Sequence, residues 1–182
     1  MLEPQRPSTA NNQATARANA NIAFIKYWGN RDDALRLPAN GSISMNLDGL
    51  YAETTVRWDA SLEHDQLVLN RAVETGAALE RVARHLDVLR DRLGIRERAA
   101  VESANNFPTG AGIASSAAAF AALTVAGVSA AGAELSEREL TTLARRGSGS
   151  ASRSVPTGFV VWHASDQHAN SFAESVAPPE HW

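Results

Sequence analysis

The stretch Pro108-Thr109-Gly110-Ala111-Gly112-Ile113-Ala114-Ser115-Ser116-Ala117 constrains the fold of this chain more than any other. Proline and two glycines force a turn there, with a strand candidate, Ala100 to Ala104, running in and an Ala-rich helix expected from about Ala114 to Ala130. A turn that hands a strand to a helix belongs to an α/β or α+β architecture. Free N–H groups, the helix dipole and two short hydroxyls would also make an anion site sized for phosphate. The pattern lacks the Gly-Lys-Ser/Thr of a Walker loop and the G-x-G-x-x-G of a dinucleotide fingerprint, and it reads equally as a plain strand-to-helix turn capped by serine.

The other elements fit one such domain. Ile22 to Ile25 read as a buried strand that delivers Lys26-Tyr27-Trp28-Gly29 to its end. Ser42 to Leu47 and Ala52 to Trp58 alternate as two strands with one polar face each, and Gln66 to Asn70 and Gly158 to Trp162 are shorter strands. Asn30 to Gly41 reads as a loop, with Asp32-Asp33 a solvated turn. Leu79, Val82, Ala83, Leu86, Leu89 and Leu93 form one apolar stripe, so Thr75 to Leu93 is an amphipathic helix closed by Gly94. Ser136 and Glu139 make a capping box with Leu135 and Leu140 as its staple, and Gly147 is expected to stop that helix after Arg145-Arg146. Residues 1–15 lack periodicity and read as a mobile leader, which leaves 16–182 as the domain; its polar last twenty residues show no closing element.

Charge and composition then narrow the chemistry. Seventeen basic and 20 acidic residues leave −3, which removes the bulk electrostatic case for nucleic acid or an acidic membrane surface. No apolar stretch approaches the roughly 20 residues that span a bilayer. Cysteine is absent, so disulfide scaffolds, zinc–thiolate sites and thiol nucleophiles are excluded and a cytoplasmic address fits. His64, His85, His163, His168 and His181 show no metal-ligand spacing and read as structural or surface residues, so no metal ligands are assigned. Among the 17 basic residues only Lys26 is a lysine, a compact mobile charge where every other cation is a planar fork. Gly147-Ser148-Gly149-Ser150-Ala151-Ser152-Arg153-Ser154 has the composition of a linker, yet a strand candidate follows it directly. Ordered, it would let backbone approach a ligand, with Arg153 gripping a carboxylate or phosphate.

Taken together and in this order, Asn21 to Gly29, Leu37 to Ser44, Asn105 to Ala117 and Ala144 to Ser154 resemble the diphosphomevalonate decarboxylases of the GHMP kinase superfamily. The resemblance implies the superfamily's N-terminal domain, a mixed sheet covered by helices and similar to the second domain of ribosomal protein S5. It implies ATP-dependent decarboxylation of mevalonate 5-diphosphate to isopentenyl diphosphate, with ATP and Mg2+ as cofactors and a phosphorylated mevalonate as partner. By similarity Gly110, Gly112, Ser115 and Ser116 would cradle the nucleotide phosphates. Tyr27, Ser148, Ser150 and Arg153 would hold the substrate, Arg153 at its carboxylate, and Lys26, with Tyr27, would sit at the reacting end as a mobile cation near the transferring phosphate or the substrate phosphate. In that family the aspartate acting on the 3-hydroxyl comes from a C-terminal half and has no match here, so the resemblance implies the N-terminal part of a longer enzyme, inactive alone; a homodimer is among the assemblies it allows. Asn30 stands where relatives often carry a second lysine for the diphosphate, which keeps phosphomevalonate decarboxylase, acting on mevalonate 5-phosphate, as an alternative. Another GHMP small-molecule kinase, which would lack the Lys-Tyr-Trp-Gly and Gly-Ser-Gly-Ser segments, and a non-catalytic binding module are the readings outside that activity.

Overall fold

One strand organises the sheet. In the computed structural model, which describes residues 12–108 and 115–181, β4 (Ser42–Asp59) pairs along one edge with β1 (Gln13–Ile25) from Ile43 to Arg57. Its other edge is shared. β8 (Phe159–Trp162) takes Ser42 to Met45, and β7 (Arg98–Asn105) takes Ala52 to Asp59. The sheet therefore forks into one arm through β7, β5 (Gln66–Leu69) and β6 (Ala72–Glu74) and another through β8 and β9 (Ala173–Ala177). The β5–β7 ladder is parallel and the others are antiparallel, which makes the sheet mixed, as the family resemblance implied.

Among the described residues three α-helices pack with the sheet: α1 (Ala77–Leu93), α2 (Ser115–Ala130) and α3 (Glu137–Gly147). The helix α2 is apolar on all sides and correspondingly buried, packing on β1 and β4, with Ala118 beside Ala20 and Ala52. Trp58 reaches it with its indole N–H, which donates to the Gly127 carbonyl at 2.9 Å. Leu86 and Leu89 turn the stripe of α1 into the same core. The capping box of α3 forms as expected, with Ser136 Oγ accepting from the Glu139 N–H and Glu139 Oε2 accepting from the Ser136 N–H.

Several sequence expectations need correction. β1 starts at Gln13, paired with Arg57, so the leader expected over residues 1–15 overlaps an ordered strand. The two strands expected at Ser42 and Ala52 are one strand with an interruption. The register jumps from Asn19↔Tyr51 to Asn21↔Asn46, and Leu47 and Leu50 leave the alternation to pack with Ala20, Ala52, Phe107 and Ala118. The loop expected over Asn30 to Gly41 holds a small hairpin, β2 (Asn30–Asp32) with β3 (Leu37–Pro38). Gly147 is the last residue of α3 and not a residue beyond it. It is glycine for space, because a Cβ there would lie 2.2 Å from Phe120 Cδ1 and 2.8 Å from His85 Nδ1. The linker-like run coils into a 3-10 helix, Gly149–Ser154. A closing element does exist: β9 hid because Glu174, Ser175 and Val176 are exposed and Ala173 alone is buried.

Two buried polar residues tie elements together, Arg145 joining α3 to the hairpin and the C-terminal arm and His85 joining α1 to α2. Arg145 is fully buried and donates to the carbonyls of Leu35 (3.1 Å) and Ser171 and to His168 Nδ1 (2.7 Å), tying the hairpin and the C-terminal arm to α3. His85 lies between α1 and α2 with Nε2 2.8 Å from Thr124 Oγ1. That hydroxyl donates to the Phe120 carbonyl, so Nε2 carries the proton. Burial, reinforced by Arg146, Arg81 and Arg36, pushes the His85 pKa down to about 3.

A buried base with a depressed pKa contributes its full stability above the unfolded value near 6.5 and loses it as pH falls toward about 3. Lowering the pH from 7 to 5 should therefore reduce the unfolding free energy by about 2 kcal/mol through this side chain. Urea titrations at the two pH values would show the difference, and His85→Gln should remove that component.

Candidate active site

The site begins where β1 leaves the core: Ile22, Phe24 and Ile25, expected as a buried strand, are exposed, because their edge of the sheet is not covered by a helix-packed core, and the buried residue at this end is polar. Asn21 interrupts the apolar end of β1 at a position only 3% exposed, directly after the register jump. Its amide is fully employed. Nδ2 donates to Ser154 Oγ at 2.7 Å and to the Ser150 carbonyl at 3.1 Å, and Oδ1 accepts from Arg153 Nη2 at 3.2 Å. Arg153 also donates from Nη1 to Ser42 Oγ at 2.6 Å, and its guanidinium carbon lies 5.8 Å from the centre of the Trp162 ring. Strands β1, β4 and β8 and the 3-10 helix thus meet at one arginine.

That arginine is 3% exposed and has no carboxylate within ion-pair distance among the described residues. Burial lowers its pKa to about 10, so it remains a cation at neutral pH, and its Nε is buried without a hydrogen-bond partner. A desolvated cation held only by neutral groups, with one donor left over, is an unmet demand for an anion. A carboxylate or a phosphate oxygen would meet it.

Tyr27 covers this group. Its ring stands edge-on to Trp162 at 4.9 Å, and its hydroxyl lies so close to the Gly149 backbone that a Cβ there would come within 2.6 Å of it. Gly149 is therefore required for close approach. Ser148 is buried and its Oγ is 3.2 Å from Ser116 Oγ in the first turn of α2, which brings the third segment to the other two. Ser150 is half-buried and enters the network through its carbonyl. Lys26 is exposed, with Nζ donating to the Ala23 carbonyl at 3.3 Å. Gly110 and Gly112 lie outside the described residues.

Beside this network a cleft of 220 Å³ opens between α1, α2 and the β4–β7–β5 arm. Leu67, Leu69, Val82 and Val101 give it apolar walls, while Ser115, Ser116 and Arg81 supply polar groups. An apolar slot ending in serine hydroxyls at a helix N-terminus fits a nucleoside base followed by phosphates. Among the described residues no group of three or more His, Asp or Glu could hold a metal ion. Residues the sequence reading did not single out are Asn21, Ser42 and Trp162. The available signal was a polar residue at an inward position of an apolar strand.

A family model described as the diphosphomevalonate decarboxylase-like N-terminal domain matches residues 18–173. The diphosphomevalonate decarboxylases of Ganoderma lucidum and Homo sapiens are each 41% identical, over 93% and 92% of this chain respectively and 46% of their own length. The chain therefore spans about half the length of the curated relatives it matches. Mevalonate diphosphate decarboxylase from Staphylococcus aureus superposes with a TM-score of 0.86 at 45% identity, covering 91% of this chain and 49% of that one. MDDEF in complex with MVAPP, AMPPCP and magnesium gives 0.87 at 43% identity, covering 91% and 50%.

Gly149→Ala should force the Tyr27 hydroxyl aside and cost about 1–3 kcal/mol of unfolding free energy. Adding Tyr27→Phe, which deletes the obstructing oxygen, should restore part of that loss in urea denaturation. A Gly149→Ala protein as stable as the wild type would contradict the described contact.

Proposed function

Because the chain belongs to the diphosphomevalonate decarboxylase-like N-terminal domain family, we propose that it forms the substrate-gripping half of an enzyme that decarboxylates mevalonate 5-diphosphate at the expense of ATP. The observation that carries this reading is Arg153, a buried cation without a counter-anion, framed by Asn21, Ser42 and Trp162. In the proposed reaction the γ-phosphoryl of ATP passes to the substrate's 3-hydroxyl, because hydroxide is a poor leaving group. Phosphate then departs from the tertiary carbon as the carboxylate collapses to carbon dioxide, its bonding pair becoming the alkene of isopentenyl diphosphate. Positive charge grows at that carbon, so the site has to orient the carboxylate and exclude water. The planar fork of Arg153 suits the first task and the buried setting the second. Lys26, with Tyr27, is a mobile cation at the reacting end near the transferring phosphate or the substrate phosphate, Ser148 and Ser150 serve the substrate's polar groups, and Ser115 and Ser116, with Gly110 and Gly112, the nucleotide phosphates. The binding of MVAPP, AMPPCP and magnesium by the MDDEF relative supports ATP and Mg2+ in these roles.

On this reading the base acting on the 3-hydroxyl comes from the other half of the enzyme, so turnover requires the full-length protein. A cytoplasmic location is supported by the cysteine-free composition, and no helix among the described residues is long and apolar enough to cross a membrane. Assembly as a homodimer rests on the resemblance alone.

A second reading, mevalonate 5-phosphate as substrate, is favoured by Asn30. It offers no charge to a distal phosphate, and its Nδ2 donates to Asp33 Oδ1 at 3.0 Å, while the neighbouring Arg31 is paired with Asp166. Assaying ADP release by the full-length protein with each phosphorylated mevalonate, and identifying the product, decides between the two. ADP release without loss of carbon dioxide would instead indicate a kinase. Arg153→Lys should lower turnover by about 10²-fold or more while leaving the thermal midpoint within a few degrees; near-normal turnover would remove Arg153 from the carboxylate.

A further inference from the structure

The ladder between β1 and β4 ends at Ile25↔Ile43, so the backbone of Lys26, Tyr27 and Trp28 continues past the sheet without strand partners. One side chain replaces them. Asn40, on the turn after β3, accepts from the Trp28 N–H at its Oδ1 (3.1 Å) and donates from Nδ2 to the Lys26 carbonyl (3.0 Å) and to the Gly41 carbonyl (2.8 Å). Its amide thus reads the carbonyl of one residue and the N–H of the next but one, as a neighbouring strand's peptide group would. The Ala39 N–H adds a backbone bond to the Gly29 carbonyl at 2.9 Å. Between these contacts sits Tyr27, wedged against Gly149 and Trp162, and next to it Lys26, the only lysine of the chain.

We propose that Asn40 is a positioning residue for the substrate phosphate: it holds the Lys26–Trp28 backbone so that the Lys26 ammonium and the Tyr27 hydroxyl are presented to that phosphate together. This rests on the functional reading above. Asn40 spends its amide on backbone groups of Trp28, Lys26 and Gly41. Its effect passes through the backbone of the segment it braces, so a change at Asn40 alters the phosphorylated substrate's affinity and spares the nucleotide, whose cleft is lined by other elements.

The test is calorimetry on the full-length protein with mevalonate 5-diphosphate, mevalonate 5-phosphate and a non-hydrolysable ATP analogue. Asn40→Ala should weaken whichever phosphorylated mevalonate the wild type binds by about 10-fold. Asn40→Asp, which keeps the acceptor for Trp28 but sets an oxygen against the Lys26 carbonyl, should weaken it at least as much. Affinity for the nucleotide analogue should change less than about twofold in both, which also reports an intact fold. In a Lys26→Ala/Tyr27→Phe background, Asn40→Ala should add less than about twofold, because the groups it positions are gone. Equal losses for both ligands, or an undiminished effect in that background, would overturn the inference, as would wild-type affinity in Asn40→Ala. If the wild-type protein binds neither phosphorylated mevalonate, the functional reading fails and the inference falls with it.

Discussion

The interruption in β4 at Leu47 to Leu50 is the constraint on which the other features rest. Strands of 18 residues are several times the common length, and this one survives by changing partners along its course. Below the interruption it pairs with β7 and carries the helix-packed core, including Val56 and Trp58. Above it, β4 pairs with β8 and turns Ser42 and Ser44 inward. The matching slip on β1 brings Asn21 inward at the same level. A polar pocket can therefore sit in the sheet layer itself, a few residues from a dry core, because the two parts of one strand serve different neighbours.

Two buried arginines show how fully and partly partnered cations differ. Both are held near a pKa of about 10 by burial. Arg145 spends its donors on two carbonyls and a histidine nitrogen from segments distant in sequence, so it acts as a clamp. Arg153 is gripped by neutral oxygens on one side and keeps its Nε unpartnered. Desolvating a charge without a compensating anion is costly, and a site accepts that cost where a ligand will supply the anion. The link between Ser116 and Ser148 joins the cationic pocket to the helix start and the neighbouring cleft.

Much of this was legible from local pattern. The stripe of α1, the capping box of α3 and the Ala-rich α2 follow from periodicity and cap chemistry within a few residues, and the structure keeps them nearly where the residues put them. The convergence of Tyr27, Ser148 and Arg153 was anticipated only through resemblance to a family, since no local rule brings residue 27 to residue 149. The continuity of β4, the strand β9 and the packing role of Gly147 escaped for one reason. Each depends on what lies opposite: Ala20 and Phe107 for the interruption, β8 for β9, and Phe120 and His85 for the glycine.

By itself the amino-acid sequence determined the secondary elements whose signals lie within one or two turns, the exclusion of thiol chemistry, and a lone lysine among arginines. The tertiary structure decided which polar groups were left without partners. Asn40 bracing the Lys26 segment and Asn21 saturated by Arg153 and Ser154 are the same residue type in different surroundings. Hydrogen-bond satisfaction is a property of what burial brings within about 3 Å, and that distance has no counterpart along the chain.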